Sequence, residues 1–145
     1  MRAVLTRVKS ASVTIDGEVV GKIGQGFLIL LGVGPNDTEK ECRYLAEKAL
    51  GLRVFTDEND KMNLSVKDIG GGFLVISQFT LCADTNSGNR PSFTPAAKPD
   101  EANTLYEAFV AECRALGVHS ETGIFAADMD IELCNQGPVT FILEE

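Results

Sequence analysis

Positive charge is scarce in this chain. Its 145 residues carry 13 Lys and Arg against 21 Asp and Glu, a formal net charge of −8 at pH 7. That balance argues against a nucleic-acid binder working through a broad basic patch; no DNA partner is expected, and any RNA must be touched locally. Long apolar runs are missing too. The longest, Phe27-Leu28-Ile29-Leu30-Leu31, is strand-sized, far short of the ~18 residues that cross a bilayer, so no membrane partner is expected. The stretch after Met1 has neither an apolar h-region nor a small-residue cleavage site, so a cytoplasmic location without a signal peptide is expected. Cysteines are few: Cys42, Cys82, Cys113 and Cys134 stand far apart without a C-x-x-C pair. That spacing argues against zinc, and all four are expected to be reduced packing residues. Histidine is nearly absent. The one copy, His119, lies outside any motif and is expected on a surface loop. With no G-x-S-x-G elbow either, a Ser-His-Asp triad is not expected.

What is present describes a single α+β domain over residues 1–145, with 44% apolar residues, enough for a core without disulfide or metal. Arg2 to Val8 alternates loosely. Ser12 to Ile15 and Glu18 to Ile23 flank Asp16-Gly17, a hairpin signal. Gly26 to Val33 is continuously apolar, the pattern of a strand buried on both faces. Thr38-x-x-Glu41 is a capping box, and Cys42, Leu45, Ala46, Ala49 and Leu50 follow at helical spacing. Arg53 to Phe55 reads as a short strand, Asp57 to Asp60 as a turn, and Phe73 to Leu81 as the next strand. Cys82 to Lys98 is long and irregular, a length more often functional than idle. A second helix opens at Pro99, carries Ala102, Leu105, Tyr106, Phe109, Val110, Cys113 and Leu116 on its apolar face, and ends at Gly117. Met129, Ile131 and Leu133 then alternate with acidic residues, and Val139 to Leu143 forms the last strand. Several strands are joined by hairpins, so the sheet is expected to be largely antiparallel, with the two main helices on one face.

Two polar segments interrupt this apolar pattern. In Ser77-Gln78-Phe79-Thr80-Leu81, hydroxyl and amide groups stand where a core strand would carry Val or Ile. The plain reading is a strand end of mixed polarity; the sharper one is a site that holds a carbonyl or a ribose. In Asn135-Gln136-Gly137-Pro138-Val139-Thr140, the Gly-Pro dipeptide reads as a turn between strands or as a backbone feature aimed at a ligand. Phe125 and Met129, in Phe125-Ala126-Ala127-Asp128-Met129, are core by default. Asp128 and Asp130 have no His or third carboxylate nearby, so no metal is expected. Arg7 on the first strand would ordinarily be a solvated charge. Arg90 in Arg90-Pro91-Ser92-Phe93 reads equally well as a phosphate contact or a surface charge, and Lys98 stays open in the same way.

With these two segments, and with the rest of the chain in register, the sequence resembles the D-aminoacyl-tRNA deacylases. The resemblance implies a curved, barrel-like sheet and a homodimer with cross-subunit active sites. It implies hydrolysis of D-aminoacyl-tRNA, and of glycine mischarged on alanine tRNA, at a site built from Ser77, Gln78, Phe79 and Thr80. A Gly137-cis-Pro138 dipeptide of the partner would reject L-aminoacyl groups sterically. Arg7 and Asn135 would support that segment. Phe125 and Met129 would line a pocket for the terminal adenosine of the tRNA acceptor end, where stacking suits a Phe ring. No cofactor is implied: the terminal ribose 2′-hydroxyl would assist, with the protein supplying position and backbone donors. Two other readings stay open: a non-catalytic RNA-end binding module, which the low pI weakens, and a Ser/Thr esterase, which the lack of a placed base weakens.

Overall fold

Arg2 to Ile15 form one continuous strand, β1, where two short strands were expected. The computed structural model, which describes residues 1–145, shows why the alternation looked loose. Ala3 and Leu5 bury in one apolar cluster, whereas Val8, Ala11 and Val13 bury in another. A strand presents one face at every second residue, so this change of parity needs an extra residue. A β-bulge supplies it: Val8 stands opposite Asn135, and Ser10 opposite the very next residue, Cys134. One strand thereby serves two cores.

The Asp16–Gly17 turn, with both residues at positive φ (49° and 81°), returns the chain into β2, Glu18–Ile23. β3, Gly26–Gly32, is buried on both faces. Phe27, Ile29 and Leu31 join the larger cluster and Leu28 the smaller. Helix α1, Glu39–Gly51, starts at the Thr38–Glu41 capping box and buries Cys42, Leu45, Ala46 and Ala49. Helix α2, Pro99–Ala115, begins with proline in its first turn and buries Ala102, Tyr106, Phe109, Val110 and Cys113. Both helices add to the same 23-residue cluster and so cover one face of the sheet. Between the helices come β4, Phe55–Thr56, and β5, Met62–Leu64, a small hairpin around the expected Asp57–Asp60 turn. Then comes β6, Gly72–Ser77.

Several boundaries differ from those read in the sequence, beginning with β4, which covers Phe55–Thr56 rather than Arg53 to Phe55. β6 stops at Ser77 rather than Leu81, and Phe79–Cys82 form a 3-10 turn instead. His119 lies on a strand, β7 (His119–Thr122), not on a loop. The tail is a single strand, β8 (Asp130–Glu144), not two. One cysteine also departs: Cys42 and Cys113 are buried and Cys82 half-buried, but Cys134 is exposed on β8.

The strand order is β2-β1-β3-β6-β7, with β8 alongside β1. Pairing is antiparallel wherever β1 takes part and parallel at β3–β6 and β6–β7. β2 folds back over β6 and β7. Gly21 sits so close that a Cβ there would lie 2.6 Å from the Thr122 carbonyl oxygen and 3.3 Å from Leu74. The result is an α+β fold with a curved sheet nearly closed into a barrel, its interior filled by seven buried residues including Val13, Leu74 and Ile76. No helix is long and apolar enough to cross a membrane.

Candidate active site

The 3-10 turn exists because β6 runs out of partner. The Gln78 N–H makes the last ladder hydrogen bond to β3, donating to the Leu31 carbonyl at 2.8 Å. Beyond it the chain turns on itself, with the Leu81 N–H donating to Gln78 O (3.2 Å) and the Ala83 N–H to Thr80 O (3.1 Å). The turn docks onto the end of β3 at Gly32. A Cβ there would stand 3.0 Å from Leu81 Cβ, 3.1 Å from Gln78 O and 3.2 Å from Cys82 Sγ. On the outer side, Arg2 Nη1 donates to the Leu81 carbonyl at 2.9 Å while its Nε pairs with Glu144. A 3-10 turn leaves its leading N–H groups without intrahelical acceptors, here those of Phe79 and Thr80. The Gln78 side-chain amide donates to Thr80 Oγ1 at 2.5 Å.

Ser77, Gln78 and Phe79 form one wall of a mostly apolar cavity of about 540 Å³. Phe125 and Met129 line the same cavity, held by a loop in which Ala126 adopts φ 63°. Phe125 leans on Tyr106, with ring centroids 6.1 Å apart. Tyr106 is in turn fixed by donating its hydroxyl to the Val75 carbonyl at 2.7 Å, and burial pushes its pKa up to about 12. Asp128 brings one carboxylate to the lining, and Phe93, Ala97 and Ala102 add to it. None of these three was among the expected site residues. Phe93 sits in an irregular segment with no periodicity to mark it, and the alanines read as helix or loop. A more polar hollow of about 560 Å³ lies behind the turn, beside Arg2, Cys82 and Glu144.

Thr80 is exposed and lies off the cavity lining. Arg7, Asn135, Gly137 and Pro138 form a separate group, away from that lining. Along β8, Asn135 pairs with Val8 and Thr140 with Thr6, so Gln136 to Val139 all stand opposite Arg7. The surplus residues loop outward. Gly137 and Pro138 are exposed, their peptide bond is cis, and Gly137 has φ 130°. Arg7 is buried beneath this loop without a carboxylate partner. It donates from Nε to the Gln136 carbonyl (3.0 Å) and from Nη1 to the Val54 carbonyl (2.5 Å). Asn135 Oδ1 accepts from the Val139 N–H at 3.4 Å. Gln136 Oε1 is buried without a hydrogen-bond partner.

His119 is 68% exposed on β7 and faces Glu121 at 3.7 Å, not Ser77 or Thr80. Arg90 and Lys98 are exposed on the segment that supplies Phe93. No cluster of three His, Cys, Asp or Glu side chains is placed to hold a metal ion. The cavity therefore offers a mostly apolar lining with hydroxyl, amide and backbone groups at one end and the Asp128 carboxylate next to Met129. It can hold a planar group and orient a polar one.

Residues 4–144 match the family described as D-Tyr-tRNA(Tyr) deacylase. The D-aminoacyl-tRNA deacylase of Yersinia enterocolitica serotype O:8 / biotype 1B is 60% identical over 144 residues, covering 99% of both chains. That of Yersinia pestis (strain Pestoides F) is 57% identical with the same coverage. Among solved structures, one described as c-Myc DNA Unwinding Element Binding Protein superposes with a TM-score of 0.95 at 40% identity, covering 100% of this chain and 99% of that one. A probable eukaryotic D-amino acid tRNA deacylase, 16% identical, shares the fold with a TM-score of 0.84 over 98% of this chain and 97% of its own.

Proposed function

The chain belongs to the D-Tyr-tRNA(Tyr) deacylase family, and we propose how its residues carry out the hydrolysis of D-aminoacyl-tRNA. The enzyme is an ester hydrolase: water adds to the ester carbonyl, the bond to the terminal ribose breaks, and a free amino acid and a free tRNA end leave. The terminal adenosine enters the 540 Å³ cavity, with its base against Phe125 and Met129. The ester carbonyl lies at the Ser77–Thr80 end. There the N–H groups of Phe79 and Thr80 meet the negative charge that develops on the carbonyl oxygen.

Neither Ser77 nor Thr80 acts as a nucleophile in this scheme. Neither hydroxyl is hydrogen-bonded to a histidine or a carboxylate, and the Thr80 hydroxyl already accepts a bond from Gln78. The ribose 2′-hydroxyl of the substrate assists instead, and the protein holds it in place. The Gly137–Pro138 loop, held by Arg7 and Asn135, enters the cavity of a second subunit in a homodimer. It leaves no room there for an L side chain but admits D-aminoacyl groups and glycine carried on alanine tRNA. A cytoplasmic setting fits such a substrate.

The observation that carries this reading is the meeting of Ser77, Gln78, Phe79, Phe125 and Met129 on one cavity whose single carboxylate, Asp128, is hydrogen-bonded to no hydroxyl and which His119 does not line. One solved relative is described as a DNA-binding protein, but a net charge of −8 speaks against a broad nucleic-acid surface here. The test is single-turnover deacylation of matched D- and L-aminoacyl-tRNA, with glycine on alanine tRNA as a third substrate. Release of the D and glycyl groups, with the L form spared, is expected. Equal rates on both enantiomers would remove the filter, and no release at all would leave an RNA-end binding module. Full-speed cleavage of a 3′-linked substrate lacking the 2′-hydroxyl would remove the ribose from the mechanism.

A further inference from the structure

One wall of the cavity is built by neither strand nor helix. Phe93 comes from the irregular segment between the 3-10 turn and α2, yet its backbone is fixed on both sides. Before it, Asp84 and Ser92 exchange two backbone hydrogen bonds, Asp84 N–H to Ser92 O at 2.8 Å and Ser92 N–H to Asp84 O at 2.9 Å. The loop they close is braced by Asn86, whose backbone N–H and side-chain amide both donate to Asp84 Oδ1 (3.0 and 2.8 Å). After it, the Ala96 N–H donates to Phe93 O at 3.0 Å and the Ala97 N–H to Val33 O at 2.9 Å. The ring so delivered meets Phe79 edge to face, with centroids 5.0 Å apart and planes at 65°. The two rings are 42% and 53% exposed, and neither belongs to a core cluster. Phe79 stands on a four-residue turn that has no side-chain cap. The sheet and Arg2 hold that turn from behind and outside; on the cavity side, Phe93 is the ring it meets.

We propose that Phe93 is a positioning residue: its ring edge fixes Phe79, and through Phe79 the placement of the Ser77–Phe79 wall against the substrate. This rests on the deacylase reading of that cavity. Edge-to-face pairs have a preferred geometry that an aliphatic side chain of similar bulk does not reproduce. Phe93→Leu therefore fills space but frees Phe79, whereas Phe93→Tyr keeps the ring edge.

The experiment measures kcat, KM and thermal midpoint for the full-length wild type, Phe93→Leu, Phe93→Tyr, Phe79→Leu and the Phe79→Leu/Phe93→Leu double variant on one D-aminoacyl-tRNA. Phe93→Leu should lower kcat about tenfold, the scale of one such aromatic contact, with KM nearly unchanged and the melt intact. Phe93→Tyr should restore the rate. The double variant should be no slower than the slower single variant, because the two rings act through one contact. A wild-type kcat in Phe93→Leu, a change confined to KM, or losses that multiply in the double variant would each overturn the proposal while leaving the deacylase reading in place. Aromatic NMR of the Phe79 ring gives a second readout that needs no turnover. Its resonances should shift and broaden in Phe93→Leu and return in Phe93→Tyr; an unchanged Phe79 spectrum would overturn the proposal even if the wild type released no amino acid.

Discussion

Arg7 is the residue whose placement differs most from the plain expectation for its type. A guanidinium always carries its charge, so burial without an anion has to be offset by good acceptors. Two backbone carbonyls, Gln136 O and Val54 O, supply them. Replacing Arg7 with Ala should leave both carbonyls without a donor and lower the unfolding free energy by roughly 2–4 kcal/mol. Arg7→Lys should recover only part of this, since one ammonium lacks the fork that reaches two acceptors. Urea unfolding of the two variants checks it, and an Arg7→Ala protein of wild-type stability would show that water replaces the guanidinium. Gly137 is constrained in another way. At φ 130° a Cβ would stand 2.7 Å from Val139 Cγ2 and 3.1 Å from Arg7 Nη2. Gly137→Ala should cost about 1–3 kcal/mol, and it should slow deacylation if this loop is the filter. Native stability together with native turnover would make the loop an inert bulge. Neither Arg7 nor Gly137 announces its environment in the sequence. A charged residue on an edge-like strand reads as solvated, and only the three-dimensional crossing of β1 by the β8 loop buries it.

At the level of elements, the helices were the most legible. Thr38 and Glu41 mark a start that the structure uses: the Thr38 N–H and hydroxyl both donate to Glu41 Oε2, at 2.7 and 2.6 Å. The Thr38 hydroxyl, and then its N–H, hold the exposed Glu41 carboxyl below its usual pKa; hydrogen bonds from the Lys61 and Ser65 backbones lower Asp57 and Asp68 in the same direction. A folded-state value below the unfolded one means that each group adds stability above its unfolded pKa, about 4 for carboxylates. That stability fades as pH falls through the folded value. The urea midpoint should therefore decline as pH drops below about 4, and Glu41→Gln should show a shallower decline. Superimposable pH curves for Glu41→Gln and wild type would mean that the capping carboxylate does not couple to unfolding. Strand ends were harder to read. The pattern carries Phe73 to Leu81 as one strand because Ser77, Phe79 and Leu81 alternate with Gln78 and Thr80. The strand ends early because β3 stops at Gly32, a fact about a partner strand 45 positions earlier (77 − 32). β7 escaped notice because four residues, His119 to Thr122, are too few to show a period.

At the scale of the whole molecule, the charge and the cavity set opposite demands on the substrate. A tRNA is a polyanion and this chain carries −8, so long-range repulsion opposes the approach of its body. The cavity itself is apolar, and the segment bordering it brings two exposed cations, Arg90 and Lys98. Affinity should then come from stacking and from a very small number of phosphate contacts, not from counterion release along a broad surface. Each phosphate neutralised near a single-stranded end contributes about −0.7 to the slope of log affinity against log salt. Two contacts, Arg90 and Lys98, predict a slope near −1.4, and Arg90→Ala with Lys98→Ala should bring it close to zero. The same double variant should leave kcat at saturating tRNA unchanged, because neither side chain lines the cavity. Measuring KM for one D-aminoacyl-tRNA between low and moderate salt decides it. A slope of about −5 or steeper would require about seven or more cations gathered on the tRNA-facing side. Given 13 Lys and Arg in the whole chain, that would place the docking face on a surface assembled from two subunits and not on the rim of one cavity.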